Sequence, residues 1–223
     1  DSAVIQGLKD RRTELQSEYQ ESLKIYKPDY PKMQQLQQQI KFMEHESQQL
    51  KLKLSDNRQK LMFDTLTGAR SRLSYEEILG QEFSRWERYR EAFSFAIFDI
   101  DHFKNVNDRF GHNAGDKALR IVAELMNKHI RKTDFLFRIG GEEFVLLLPK
   151  TELQHASPLA DKIRNSVGES KFHFKQEQLK LTMSGGLTTV LPLDTAEDLY
   201  ERADKALYEA KQQGRNRLVT LTD

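Results

Sequence analysis

Arg138-Ile139-Gly140-Gly141-Glu142-Glu143-Phe144 joins two short apolar runs. Phe135, Phe137 and Ile139 alternate into it, and Phe144, Leu146 and Leu148 alternate out of it. Two such runs separated by a glycine pair predict a β-hairpin. The glycines supply turn conformations that a Cβ resists, and they leave room beside the backbone for a bulky polar ligand. Two carboxylates follow on successive residues. Side chains alternate faces along a strand, so Glu142 and Glu143 are expected to diverge, one into a site and the other outward or as a brace. Taken alone, such a stretch is more often a solvated surface turn. A second acidic cluster upstream shifts the balance. Phe93 to Phe98 reads FSFAIF, a short buried strand, and runs into Asp99-Ile100-Asp101. An acid at a strand end beside an acid in a turn is a common way to build an oxygen-ligand Mg²⁺ site.

The 223 residues suffice for one substantial domain and an extension. Lys and Arg number 35 against 34 Asp and Glu, so composition gives no nucleic-acid or membrane signal. The absence of cysteine excludes a disulfide scaffold and thiolate metal sites. No apolar run approaches a membrane span, and no signal peptide is visible. The chain starts at Asp1, not Met, and we read it as a fragment or processed form of a longer protein.

Residues 1–62 differ from the rest, being rich in Gln, Lys and Glu. Met33, Leu36, Ile40, Met43, Ser47, Leu50, Leu54 and Leu61 follow alternating three- and four-residue steps, with Asn57 in the skipped place. That is a coiled-coil seam, with Ser47 and Asn57 as polar positions that trade stability for register. An earlier helix over about residues 3–26 carries Ile5, Leu8, Leu15, Tyr19 and Tyr26 on one side. Lys27-Pro28-Asp29-Tyr30-Pro31 separates the two, because each proline lacks a donor and disfavours helix before it. A fold-back hairpin is the favoured arrangement. A narrow seam buries too little in a lone helix, so dimerisation is expected. Glu18 to Ile40, EYQESLKIYKPDYPKMQQLQQQI, is similar to the helical segment of bacterial polysaccharide chain-length regulators, which supports the helical reading.

The globular domain is placed at 63–223. Ser74-Tyr75-Glu76-Glu77 reads as a capping box opening a helix that runs to about residue 91. His102 to Asp116 is dense in donors and acceptors. A helix is predicted over about 114–130, another over about 157–168 opened by Ser157-Pro158, and a last one over about 195–212 stopped by Gly214. Leu179 to Val190 predicts a strand pair or a bulged strand around Gly185-Gly186. Strands alternating with helices define an α/β domain.

These stretches together resemble the GGDEF family, the diguanylate cyclases. Gly140 to Phe144 matches the signature in its GGEEF form. Around it stand DTLTGARSR at 64–72, FDIDHFKNVNDRFGHNAGD at 98–116, RKTD at 131–134 and ADKALYEAKQQGRNR at 203–217, in family order. Ser71 stands where the family usually has Asn, and Ser184-Gly185-Gly186 where it usually has Ser-Ile-Gly.

The resemblance implies a mixed central sheet flanked by helices, related to polymerase palms and nucleotide cyclases. It implies condensation of two GTP into cyclic di-GMP with release of two pyrophosphates, in a homodimer held by the coiled coil. It implies Mg²⁺, with Mn²⁺ as an alternative, on Asp99, the Ile100 carbonyl and Glu142, with Glu143 as a second ligand or brace. Glu142 is also the implied base for the 3′-hydroxyl; a metal-bound carboxylate is a poor base, so that role is held loosely. Asn107 and Asp116 match guanine readers, with Phe103 and His112 as neighbours of the base or ribose. Lys104, Lys211 and Arg215 match phosphate contacts, and Gly140 and Gly141 let the backbone approach. Arg131 and Asp134 match an inhibitory site for the product, with Arg164 as its second arginine. Neither nucleic acid nor a membrane segment is implied, and the chain is expected in the cytoplasm, alone or as part of a larger or membrane-attached protein. The alternatives are an inactive domain that senses GTP or cyclic di-GMP, and a structural coiled-coil scaffold.

Overall fold

The computed structural model describes residues 2–174 and 177–222. It separates into two compact units, Asp1–Lys60 and Leu61–Asp223.

The first unit is a helical hairpin of α1 (Ser2–Ser22) and α2 (Pro31–Leu61). Pro31 is the first residue of α2, where a missing donor costs little. The reversal closes with Tyr26 stacked on Tyr30, ring centres 4.6 Å apart. Antiparallel packing follows from three cross-helix contacts. Gln37 Nε2 donates to Tyr19 Oη at 2.6 Å, Lys32 lies 3.5 Å from Glu18, and Arg12 lies 3.9 Å from Glu44. The expected fold-back is therefore present. Ile5, Leu15, Ser22, Met33, Leu36 and Ser47 are buried. Arg12 and Ser22 complete the repeat on α1, two seam positions that apolar spacing alone does not reveal.

The second unit runs α3 (Arg72–Tyr89), β1 (Ser94–Ile100), α4 (Phe103–Phe110), α5 (His112–Asn127), β2 (Phe135–Arg138), β3 (Glu143–Leu148), α6 (Leu153–Gly168), β4 (Phe172–Phe174), β5 (Glu177–Leu179), β6 (Met183–Thr189), α7 (Ala196–Gln212) and β7 (Leu218–Thr220). Five strands form one sheet in the order β2-β3-β1-β6-β7. All neighbours are antiparallel except β6 and β7, so the sheet is mixed, as expected.

Strand alternation sorts the core into two layers. Ala96, Phe98, Phe144 and Leu146 pack with Leu119, Val122 and Met126 of α5 and with Ile163 and Val167 of α6. Phe95, Ile97, Val145 and Leu147 pack with Leu79 of α3 and with Leu199 and Leu207 of α7. Helices thus cover both faces.

Four local expectations change. Ser71, not Ser74, caps α3: its backbone is extended and its hydroxyl accepts from the Ser74 amide. Phe103–Phe110 is a helix of its own, too short for periodicity to mark. Helix α6 begins at Leu153, so Pro158 lies in its second turn instead of opening it. Strand β6 runs unbulged through Gly185-Gly186, paired with Phe98 and Ile97. A Cβ on Gly186 would lie 2.1 Å from the Ala203 carbonyl oxygen, so glycine is required there by the closeness of α7.

Candidate active site

The hairpin between β2 and β3 carries its acids to the end of β1. Asp99 pairs with Glu143 across the ladder, and the Ile100 amide reaches the Glu142 carbonyl at 3.4 Å. Lys211, at the end of α7, places Nζ 3.1 Å from Asp99 Oδ1. Burial pushes the Asp99 carboxyl up; Lys211 opposes the shift, Asp101 adds to it, and Arg215 opposes it again. Burial also pushes Glu142 up, and the charges of Asp99 and Glu143 push it further against Lys211. Asp99, on β1, therefore acts on Glu142, in the turn just before β3.

Glu143 opens β3 opposite Asp99. Its Oε2 lies 2.8 Å from where a Cβ on Gly140 would stand. Burial, and then the Glu143 charge, raise the Tyr200 hydroxyl. Glu142 lies in the turn before β3, so strand alternation does not govern it, and Glu143 is folded against the turn at Gly140.

The turn is fastened from behind. Arg138 Nη1 lies 3.1 and 3.2 Å from the two oxygens of Asp64. Its Nε and Nη2 donate to the Gly141 carbonyl at 3.1 and 2.8 Å. Asp64 also accepts from the Thr67 amide and hydroxyl. Burial pushes the Asp64 carboxyl up, but these hydrogen bonds outweigh it and hold it low.

The α4–α5 pair forms a second wall. Phe103 is buried, Lys104 is exposed one residue on, and His112 is exposed at the start of α5. A Cβ on Gly115 would lie 2.0 Å from Asn107 Oδ1 and 3.0 Å from the Phe103 ring. Gly115 is thus the space the Asn107 side chain occupies, one residue before half-buried Asp116.

Arg131 and Asp134 lie apart from this cluster. The buried Asp134 carboxylate accepts from the Arg131 amide at 2.8 Å. Both line a cavity of about 460 Å³ with His129, Lys150, Thr151, His155 and Leu159. Arg164 does not line it; its guanidinium is spent on Asp161, Asn165 and Asn216.

Asp99, Glu142 and Lys211 are therefore brought together, with Arg215 within electrostatic reach. Arg138, Asp64 and Gly115 support the site, and no sequence expectation gives them that role. An arginine two residues before a glycine pair is the available signal for Arg138. Among the described residues, no three His, Cys, Asp or Glu side chains form a metal cluster. The donors on offer are two carboxylates and the Ile100 carbonyl, hard oxygens that suit Mg²⁺ or Mn²⁺ with the remaining ligands taken from a nucleotide.

Fold and site together define a nucleotide-cyclase-like domain. Residues 61–217 match the family model described as "Diguanylate cyclase, GGDEF domain", and the chain belongs to that family. It is 43% identical over 187 residues to the diguanylate cyclase DgcP of Pseudomonas aeruginosa, covering 84% of this chain and 28% of that protein. Diguanylate cyclase A of Treponema denticola is 43% identical over 60% of this chain and 36% of its own length, so the chain spans about a third of these relatives. Among solved structures, the coiled coil and GGDEF domain of DgcB from Caulobacter crescentus, in complex with c-di-GMP, matches with a TM-score of 0.77 and 28% identity, covering 83% of this chain and 99% of that one. Diguanylate cyclase SiaD of P. aeruginosa, in complex with its activator SiaC, matches with a TM-score of 0.71 and 33% identity, covering 98% of this chain and 84% of that one.

Proposed function

We propose that this chain condenses two GTP into cyclic di-GMP, each 3′-hydroxyl attacking the α-phosphate of the other nucleotide as pyrophosphate leaves. The observation that carries this is the convergence of Asp99 and Glu142 beside a side-chain-free turn, with Lys211 on the same spot. Two desolvated acids, with the Asp99 charge pushing the Glu142 carboxyl up, make a negative pocket suited to a divalent cation. Asp99, Glu142 and the Ile100 carbonyl would hold Mg²⁺ or Mn²⁺, which would supply charge neutralisation on the triphosphate. Lys211, Arg215 and Lys104 bind phosphate oxygens, and the Gly140-Gly141 backbone approaches them. Asn107 and Asp116 read guanine, since an amide and a carboxylate pair with O6 and with the N1 and N2 donors that adenine lacks. Phe103 and His112 stand beside the base. Glu142 would take the proton of the 3′-hydroxyl only while it is not ligating the cation, since a metal-bound carboxylate is a poor base, and Glu143 braces Gly140.

One domain holds half of the reactants, so two must meet. The helical hairpin presents them as a homodimer. Support comes from its exposed apolar residues Val4, Phe42 and Leu52, and from solved relatives that join helices to this domain. Product binding at Arg131 and Asp134 inhibits turnover; a relative solved with c-di-GMP supports a site for it. No helix among the described residues is long and apolar enough to cross a membrane.

Incubation with GTP and Mg²⁺ tests the reading. Cyclic di-GMP with pyrophosphate is expected. Nucleotide binding without turnover would instead make this a sensor, and neither would leave a scaffold. Specific activity should rise with protein concentration in the full chain and collapse when residues 1–56 are removed.

A further inference from the structure

Arg164 and Asp101 both grip the turn that follows α7. Gly214, Arg215 and Asn216 have consecutive positive φ values of 109°, 64° and 47°. Glycine adopts this freely, but Arg215 and Asn216 adopt it against the steric preference of L-residues, so the turn needs outside fastening.

Two groups from other elements provide it. Asp101, 7% exposed just past β1, accepts from the Asn216 amide at 3.0 Å. Ser184 and Thr182 hydroxyls donate to the same carboxylate at 2.7 and 2.8 Å. Arg164, on α6, has a side chain 12% exposed. Its Nη1 donates to the Asn216 carbonyl at 2.9 Å and to Asn216 Oδ1 at 2.7 Å. Asp161 and Asn165 hold the rest of the guanidinium in plane, at 2.7 and 2.6 Å. Both grips meet on the residue next to Arg215, whose charge already acts on Asp99.

We infer that Asp101 and Arg164 are positioning residues that clamp the Gly214–Asn216 turn and so aim Arg215 at the phosphates of the bound nucleotide. The inference rests on the cyclase reading above. It also gives Arg164 a place other than the inhibitory cavity, which its guanidinium does not line. Neither clamp residue is assigned a contact with the nucleotide, and Arg164, whose charge is not among those acting on Asp99 or Glu142, is the one whose loss removes geometry alone.

The test uses the full chain with Arg164→Ala, Asn216→Gly and the double variant. It measures affinity for a fluorescent GTP analogue, KM and kcat for GTP, inhibition by added cyclic di-GMP, and the thermal midpoint. Arg164→Ala should weaken analogue binding and raise KM by about 10-fold, the scale of a lost supporting contact. Inhibition by cyclic di-GMP should stay at the parent level. Adding Asn216→Gly should recover most of the lost affinity, because glycine takes positive φ unaided. Unchanged nucleotide binding by Arg164→Ala overturns the inference, and so does a loss that glycine does not recover. Lost product inhibition with intact GTP binding returns Arg164 to the inhibitory cavity and overturns it as well. An unaltered chain that binds no GTP analogue sinks the cyclase reading itself, a result distinguishable from any effect of Arg164.

Discussion

Arg138 and Asp64 stand 74 residues apart in sequence and meet at 3.1 Å. The same guanidinium holds the Gly141 carbonyl at 2.8 Å. One side chain thus ties the DTLTG segment to the turn that carries Glu142. Lysine has three donors on one nitrogen but no planar fork, so it cannot reproduce the spread of Nε, Nη1 and Nη2 over both partners. Arg138→Lys should cost about 2 kcal/mol of stability, the scale of a lost half-buried charge-assisted pair, and about 10-fold in kcat. Denaturant melts and initial rates on one sample check both.

Asp64 also makes a pH prediction. Its carboxyl is held below the ordinary 3.8, hydrogen bonds from Thr67 and Arg138 overcoming the effect of burial. A carboxylate depressed in the folded state stabilises above its unfolded pKa, and that contribution disappears as pH falls through the folded value. Below about pH 4 the parent should therefore lose stability more steeply than Asp64→Asn. Parallel acid limbs in the two melting profiles would refute the assignment.

Glu142→Gln should lower turnover by at least about 100-fold, the scale of removing a key stabilising group, while leaving the fold intact. It should also melt higher than the parent at neutral pH when divalent cations are chelated. Burial and the neighbouring Asp99 and Glu143 charges raise the Glu142 carboxyl. A raised carboxylate costs stability above its folded pKa, and that cost fades on acidification. The advantage of Gln should accordingly vanish toward acid pH and reverse when Mg²⁺ is added to both proteins.

Two glycines should fail in different ways. Gly115→Ala places a Cβ 2.0 Å from Asn107 Oδ1, a side-chain atom that can move. We expect a near-normal melting temperature and a KM for GTP raised about 10-fold, as a base-reading contact is lost. Gly186→Ala places a Cβ 2.1 Å from the Ala203 carbonyl and 2.3 Å from the Leu207 amide. Helix backbone cannot step aside, so a loss of about 3 kcal/mol or more is expected in equilibrium unfolding.

Arg131→Ala should raise the half-inhibiting concentration of cyclic di-GMP by about 10-fold or more, as expected from loss of a guanidinium that recognises guanine edges. Progress curves at fixed GTP, with product added at the start, would show it. Undiminished inhibition would remove the Arg131–Asp134 cavity from the regulatory scheme.

Much of the fold is legible because its elements are local. The Gly-Gly hairpin, strand β1, helices α5 and α7 and the coiled-coil hairpin each announce themselves through periodicity or turn chemistry. Helix α4 does not, because eight residues give barely two turns of pattern. The start of α6 was misplaced because Pro158 looks like an opening residue, whereas the helix accepts it in its second turn. Gly185-Gly186 suggested a bulge, yet both glycines answer to packing: Phe98 and Leu218 crowd one, and the α7 backbone crowds the other.

Residue order alone determined the two-carboxylate signature and the seam that pairs α1 with α2, since each depends on neighbours a few positions apart. Only the tertiary structure decided that Arg138 answers Asp64, that Gly115 makes way for Asn107, and that Arg164 grips Asn216 instead of the Arg131 cavity. Those outcomes depend on which side chains meet across elements far apart in the chain, and a hydrogen bond needs both partners within about 3 Å and correctly aimed. Spacing along the backbone carries no record of that meeting.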